Sequence, residues 1–370
     1  MNRARLESAA ARSVQRGRVF KMASRSLGIA FLVTLLLALS LPIASAQTVQ
    51  LTGAGASFPY PIYSKWFDEY YRETGVQINY QSIGSGGGVR QLLSRTVDFG
   101  ASDAPMTDEE LAQAERPIVH IPTVIGAVSV VYNIPGVPQS GLKLTPEVLA
   151  DIFLGEITRW NDPRIQALNP DLNLPNTHII VARRADASGT TYTFSDYLSA
   201  VSEKWAQRVG VGRSLNWPTG LGARGNEGVA GLVRQTPGAI GYVEQAYAEQ
   251  NNLAQAALQN KDGYFVLPSL EGASLTAAGV EMPPDYRVSI VNGSGKDAYP
   301  IATFTWLLVY QDAWDHEKGK HLAEFLWWAI HDGQRFAPEL NYAPLPDAVV
   351  KSLEETLAGL VYNGQPLLNR

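Results

Sequence analysis

An α/β fold in two domains is what this sequence predicts, and three observations carry the prediction. Segments that alternate apolar and polar residues take turns with segments of helical spacing along the whole chain. The hydrophobic share, 45 %, is ample for buried sheets, although no cysteine is present to staple a small core. About 320 residues follow an N-terminal leader, a length that divides most naturally into two domains.

The leader comes first. Arg3, Arg5, Arg12, Arg16, Arg18, Lys21 and Arg25 precede an apolar run from Leu27 to Leu41, and Ala44-Ser45-Ala46 closes it. This is the pattern of a secretory signal cleaved before Gln47, and Met22 would begin one of ordinary length. The apolar run is shorter than the roughly 20 residues a spanning helix needs. With no cysteine to carry a lipid, the mature chain is expected to be exported and soluble.

Helical spacing of Tyr63, Trp66, Phe67, Tyr70 and Tyr71 predicts a helix over 60–72, and the alternation from Val76 to Ile83 predicts a strand. A glycine cluster then leads into Val89–Arg95, and Asp108–Ala114 reads as a helix. Strands are expected at 127–132, 178–181, 239–243, 286–291 and 303–310, with helices at 145–153 and 318–330 between them. No internal repeat or long linker marks a boundary.

Four segments draw attention as oxyanion sites, because a helix start offers unpaired N–H groups and the positive end of the helix dipole. Ser57 follows a Gly-x-Gly turn and precedes Pro59, so it is a candidate helix cap whose Oγ, with the N–H of Phe58, faces one point. In Gly84-Ser85-Gly86-Gly87-Gly88, Ser85 adds a hydroxyl, and glycines such as Gly86 permit close backbone approach. The segment fits neither common nucleotide loop. The third, Arg184-Ala185-Asp186-Ala187-Ser188-Gly189-Thr190, is the most specific: Ser188, the N–H groups of Gly189 and Thr190 and the Thr190 hydroxyl can ring an oxyanion. Arg184 would grip that anion while Asp186 holds its guanidinium.

Asp103, in the fourth segment, is an acid where an anion is expected. It could merely turn the chain toward the helix at 108. As a site residue, a carboxylate accepts hydrogen bonds and does not donate them, so it favours an anion that still carries a proton. Phosphate keeps one near neutral pH, its second ionisation falling at about pH 6 to 7, whereas sulfate keeps none.

Composition argues against other classes. After Ala46 the chain holds 23 Lys/Arg against 34 Asp/Glu, a net charge of −11, which leaves no basic tract for nucleic acid. His120, His178, His316, His321 and His331 show no ligand-like pairing, and Ser188 lacks the Gly-x-Ser-x-Gly frame, so neither a metal nor another cofactor is expected, and a phosphoester hydrolase is the least favoured alternative.

The runs Gly53–Pro59, Ile83–Gly87, Val97–Pro105, Phe153–Ile157, Arg183–Thr190 and Pro237–Glu244 together resemble the periplasmic phosphate-binding proteins of bacterial ABC importers. The resemblance spans nearly all of the mature chain, in order. It implies a two-lobed Venus flytrap of the class II type, with a mixed sheet in each lobe and a hinge of crossing strands. The first lobe would comprise 47–132 and 299–370, the second 133–298. It further implies phosphate ligands at Ser57, Phe58 (through N–H), Ser85, Asp103, Arg184, Ser188, Gly189 and Thr190, supported by Asp186 and Gly86. A monomer delivering phosphate to a membrane permease is the expected biology, with secreted scavenging or sensing as the alternative. Ser57 stands where many relatives carry threonine, and Ala187 where glycine is frequent; neither change removes a ligand group.

Overall fold

The computed structural model describes residues 49–368, so the leader and cleavage site expected over 1–46 lie outside the described residues. In chain order the first elements are β1 (Gln50–Gly55), α1 (Tyr60–Thr74), β2 (Gln77–Ser82), α2 (Ser85–Leu93) and β3 (Phe99–Ser102). β4 (Ile118–Asn133), β5 (Ser140–Leu144), α3 (Pro146–Phe153), β6 (Ile180–Arg184), α4 (Gly189–Val201) and β7 (Leu221–Ala223) follow. Then come α5 (Gly225–Gln235), β8 (Ala239–Glu244), α6 (Gln245–Gln250), β9 (Ala254–Gln259), β10 (Phe265–Val266), β11 (Ala302–Tyr310), α7 (His316–Ile330) and α8 (Asp347–Ala358).

The helices form where the apolar spacing and the caps agree. α1 buries Ile62, Tyr63, Trp66, Phe67 and Tyr70 on one face and stops at Gly75, whose φ of 76° closes the last turn through a bond to the Tyr71 carbonyl. Thr145 caps α3 by accepting from the Val148 amide, and Asp315 caps α7 from Lys318.

One mixed sheet runs β2-β1-β3-β11-β4-β8-β6-β7, with β9, β5 and β10 attached beside β4. β4 carries its two lobes. From Ile118 to Ala127 it lies antiparallel to β11, and from Val128 to Asn133 antiparallel to β8. All of its residues but Val119 and Asn133 are buried, which explains a run of apolar side chains longer than simple alternation predicts. β1, β2 and β3 pair in parallel in the first lobe, and β6, β7 and β8 in parallel in the second. Their carboxyl ends face the cleft, the position where open α/β sheets bind ligands.

Three expectations are corrected. Residues 286–291 form no strand: Tyr286 has φ 57°, and side chains tie the segment, Trp306 Nε1 donating to the Tyr286 carbonyl at 3.0 Å. Ser57 does not cap α1, since the residue before the helix is Pro59 and no side chain caps it. The glycines after Ser85 are the first turn of α2, not a loop ahead of a helix. That turn lies directly on the sheet; a Cβ on Gly88 would stand 2.5 Å from the Ala54 carbonyl and 2.9 Å from that of Ala101.

Candidate functional site

Five polypeptide turns meet where the lobes touch. Ser57 and Phe58 follow β1, Ser85 opens α2, Asp103 follows β3, Arg184 ends β6, Ser188 to Thr190 open α4, and Asn226 opens α5. Every one of these residues is buried.

The second lobe brings the fixed charge. Arg184 is 3 % exposed; its Nε donates to Asp186 Oδ1 at 2.8 Å, its Nη2 to Oδ2, and its Nη1 to Thr190 Oγ1 at 3.3 Å. Burial works against the guanidinium charge, but Asp186 more than offsets it, and the Arg184 pKa is raised. Burial likewise raises Asp186, and the Arg184 bond and charge pull it below its usual value. Ser188 caps α4 by accepting from the Thr191 amide at 3.0 Å.

From the first lobe comes a hydroxyl and carboxyl pair. Ser85 Oγ accepts from the Asp103 amide at 3.3 Å and, across the cleft, from the Gly189 amide at 3.0 Å. The carboxyl of Asp103 accepts from Thr305 Oγ1 at 3.0 Å. Burial pushes this carboxyl up to about 7, against the lowering effect of its bonds to Thr305 and Ser85 and of the Arg184 charge. Gly189 has to be glycine here: a Cβ would stand 2.5 Å from Ser85 Oγ and 2.6 Å from Asp103 Oδ2. Gly86 allows a similar approach, its amide donating to the Ala187 carbonyl at 3.0 Å.

The amides of Phe58, Ser85 and Thr190 donate to no acceptor among the described residues, although all three residues are buried. Buried unpaired N–H groups are costly, and here they converge with an arginine and several hydroxyls. The arrangement can hold a dehydrated oxyanion.

Sequence reasoning missed five participants. Asn226 reaches both Ser57 Oγ, at 2.9 Å, and Thr190 Oγ1, at 3.1 Å. It follows Gly225 at a strand-to-helix turn, the signal used for the other segments, so the pattern could have found it. Thr305 and Tyr242, which accepts from the Arg184 amide at 3.3 Å, lie inside apolar strands and gave no such signal. Glu244 and Tyr342 form a buried pair 2.9 Å apart across the lobes, and the Tyr342 hydroxyl also lies 2.6 Å from the Phe58 carbonyl. The Tyr342 hydroxyl thus faces two acceptors, the Phe58 carbonyl and Glu244 Oε2. Burial holds the Glu244 carboxyl well above its usual range, against the lowering effect of its bonds to the Ala246 amide and Tyr342. Burial thus raises the pKa of both acids close to the site.

Of the histidines, His120 is buried, accepts from the Met106 amide at 3.0 Å, and is pushed by burial down to about 4. Among the described residues no group of His, Asp and Glu side chains could hold a metal ion.

Comparison with known proteins adds the lineage. A family model described as a PBP superfamily domain matches residues 42–332. The phosphate-binding protein PstS of Pasteurella multocida is 47 % identical over 312 residues, covering 84 % of this chain and 90 % of that protein. PstS of Haemophilus influenzae is 47 % identical over 317 residues, covering 85 % and 94 %. Among solved structures, a phosphate-binding protein from Stenotrophomonas maltophilia matches with a TM-score of 0.63 at 19 % identity, over 83 % of this chain and 93 % of that one, a likeness of fold. Because one family model spans most of the chain, and relatives that it covers nearly end to end share almost half its residues, the chain belongs to the PBP superfamily and, within it, to the PstS phosphate-binding proteins.

Proposed function

We propose that this chain binds inorganic phosphate between its two lobes and hands it to the membrane permease of an ABC importer. Ser57, Ser85, Ser188 and Thr190 would donate through hydroxyls, Phe58, Gly189 and Thr190 through N–H, and Arg184 through its guanidinium, while Asp103 accepts a hydrogen bond from the proton the ligand retains. Asp186 orients Arg184, and Gly86 lets α2 approach the opposite lobe. Phosphate entering the cleft takes over the Gly189 amide from Ser85. The protein works as a periplasmic monomer after cleavage near Ala46. Its first lobe comprises 47–132 and 299–370 and its second 133–298, a division supported by the change of β4 partner after Ala127.

The observation that carries this reading is the single carboxyl acceptor, Asp103, set among buried donors and one paired arginine. A sulfate site would need donors only. Isothermal titration with phosphate, arsenate and sulfate tests it: phosphate and arsenate, both protonated near neutral pH, should bind, and sulfate should not compete. Equal binding of sulfate would remove the role given to Asp103, and no heat with phosphate would remove the function.

A further inference from the structure

The side chain of Asn226 touches hydroxyls from both lobes and is itself fully engaged. Its Oδ1 accepts from the Glu244 amide at 2.9 Å, which fixes the amide so that Nδ2 faces Ser57 and Thr190. The two Nδ2 protons then go one each to Ser57 Oγ, at 2.9 Å, and Thr190 Oγ1, at 3.1 Å. Ser57 Oγ also accepts from the Asn226 backbone amide at 3.1 Å, a donor left free by the helix start. Thr190 Oγ1 also accepts from Arg184 Nη1 at 3.3 Å.

A hydroxyl has two lone pairs and one proton. With both lone pairs of Ser57 Oγ and of Thr190 Oγ1 occupied by donors, each oxygen has only its proton left to offer. We propose that Asn226 is a positioning residue that turns the Ser57 and Thr190 hydroxyl protons toward the bound anion as the cleft closes, without contacting the anion itself. Because Ser57 belongs to the first lobe and Asn226 to the second, its bonds to Ser57 form only on closure, so closing and orienting the donors are one event. This inference rests on the phosphate-binding reading.

The test is a double-mutant cycle by titration calorimetry with inorganic phosphate, on the mature chain carrying Asn226→Ala, Thr190→Val or both. Removing the orienting amide should weaken binding by about 10- to 100-fold, the worth of one or two hydrogen bonds to a charged ligand. In the Thr190→Val background the same change should cost at least about fivefold less, because one of its two targets is gone. Factors that multiply without such a shortfall would mean a merely structural role and overturn the proposal. Should Asn226→Ala fail to fold, the wild-type complex decides: correlation of the Ser57 and Thr190 hydroxyl protons with ³¹P by NMR supports it, and hydroxyl protons directed at protein acceptors refute it. A wild type that binds no phosphate sinks the underlying function, whereas a wild type that binds and an Asn226→Ala variant that binds equally sink this inference alone.

Discussion

In the proposed reading, Asp103 is the residue on which ligand choice turns. A hydrogen bond between two oxyacids needs one proton, and phosphate or Asp103 can bring it, but sulfate cannot. With the carboxyl lifted by burial to about 7, Asp103 is increasingly neutral as the medium acidifies and can then donate to sulfate. Sulfate should therefore compete with phosphate more effectively at about pH 5.5 than at about pH 8, as competition titrations at the two pH values would read. Asp103→Asn puts a permanent donor there, and the preference for phosphate over sulfate should fall at least about tenfold. The same shift has a stability consequence. The folded pKa lies above the ordinary 3.8, so the native state keeps a proton that the unfolded chain releases between those values. The contribution is fully present below about 4 and lost as pH rises through about 7. Denaturant titrations of the ligand-free protein from about pH 4 to pH 8 should show that decline, and Asp103→Asn should abolish this share of it.

At the scale of elements, the site is a set of helix starts fed by parallel strands. Ser188→Ala removes the α4 cap, costing about 1 kcal/mol of stability, and the proposed ligand hydroxyl, worth about 1 to 3 kcal/mol of binding. Thermal unfolding and titration calorimetry would separate the two losses. Gly189→Ala should behave oppositely: alanine suits a helix, so the fold should hold or gain slightly, while the added Cβ strikes Ser85 and Asp103. Binding at least about 100-fold weaker with an unlowered melting temperature is the expected pair of results. The oxyanion segments were legible because serine, glycine and charge cluster at strand-to-helix turns. Ser57 as a cap was misread, since local spacing cannot tell whether a hydroxyl bonds its own helix or, as here, Asn226, 169 residues away. The expected strand at 286–291 failed for a related reason: its alternating residues pack, but its backbone has no neighbouring strand to pair with.

The whole molecule is two halves of one sheet joined through β4, with a cleft zipped by bonds from Ser57 to Asn226, Ser85 to Gly189 and Glu110 to Arg213. Phosphate should stabilise this closed state by mass action, about 4 kcal/mol at a thousand times its dissociation constant, seen as a rise in melting temperature. X-ray scattering should show compaction on phosphate addition. Glu110→Gln removes an ion pair bridging the lobes while touching no proposed ligand, so it should weaken binding only a few-fold, by about 1 kcal/mol at most. A loss as large as that for Ser188→Ala would mean that the bridge is part of the site.

The sequence by itself determined the α/β class, the helix-start segments, the Arg184–Asp186 pair and the unusual acid at 103, because each is written in neighbouring residues whose spacing and chemistry suffice. Only the tertiary structure decided which hydroxyls face each other across the cleft, how far burial lifts Asp103, and that Asn226, Thr305, Glu244 and Tyr342 stand behind the proposed ligand groups. Those properties depend on exclusion of water and on contacts between segments up to 284 residues apart, such as Phe58 and Tyr342, which no local pattern encodes. The phosphate trap that the four segments suggested is thus a property of closure: its donors are local, while their direction and the acid's proton belong to the folded whole.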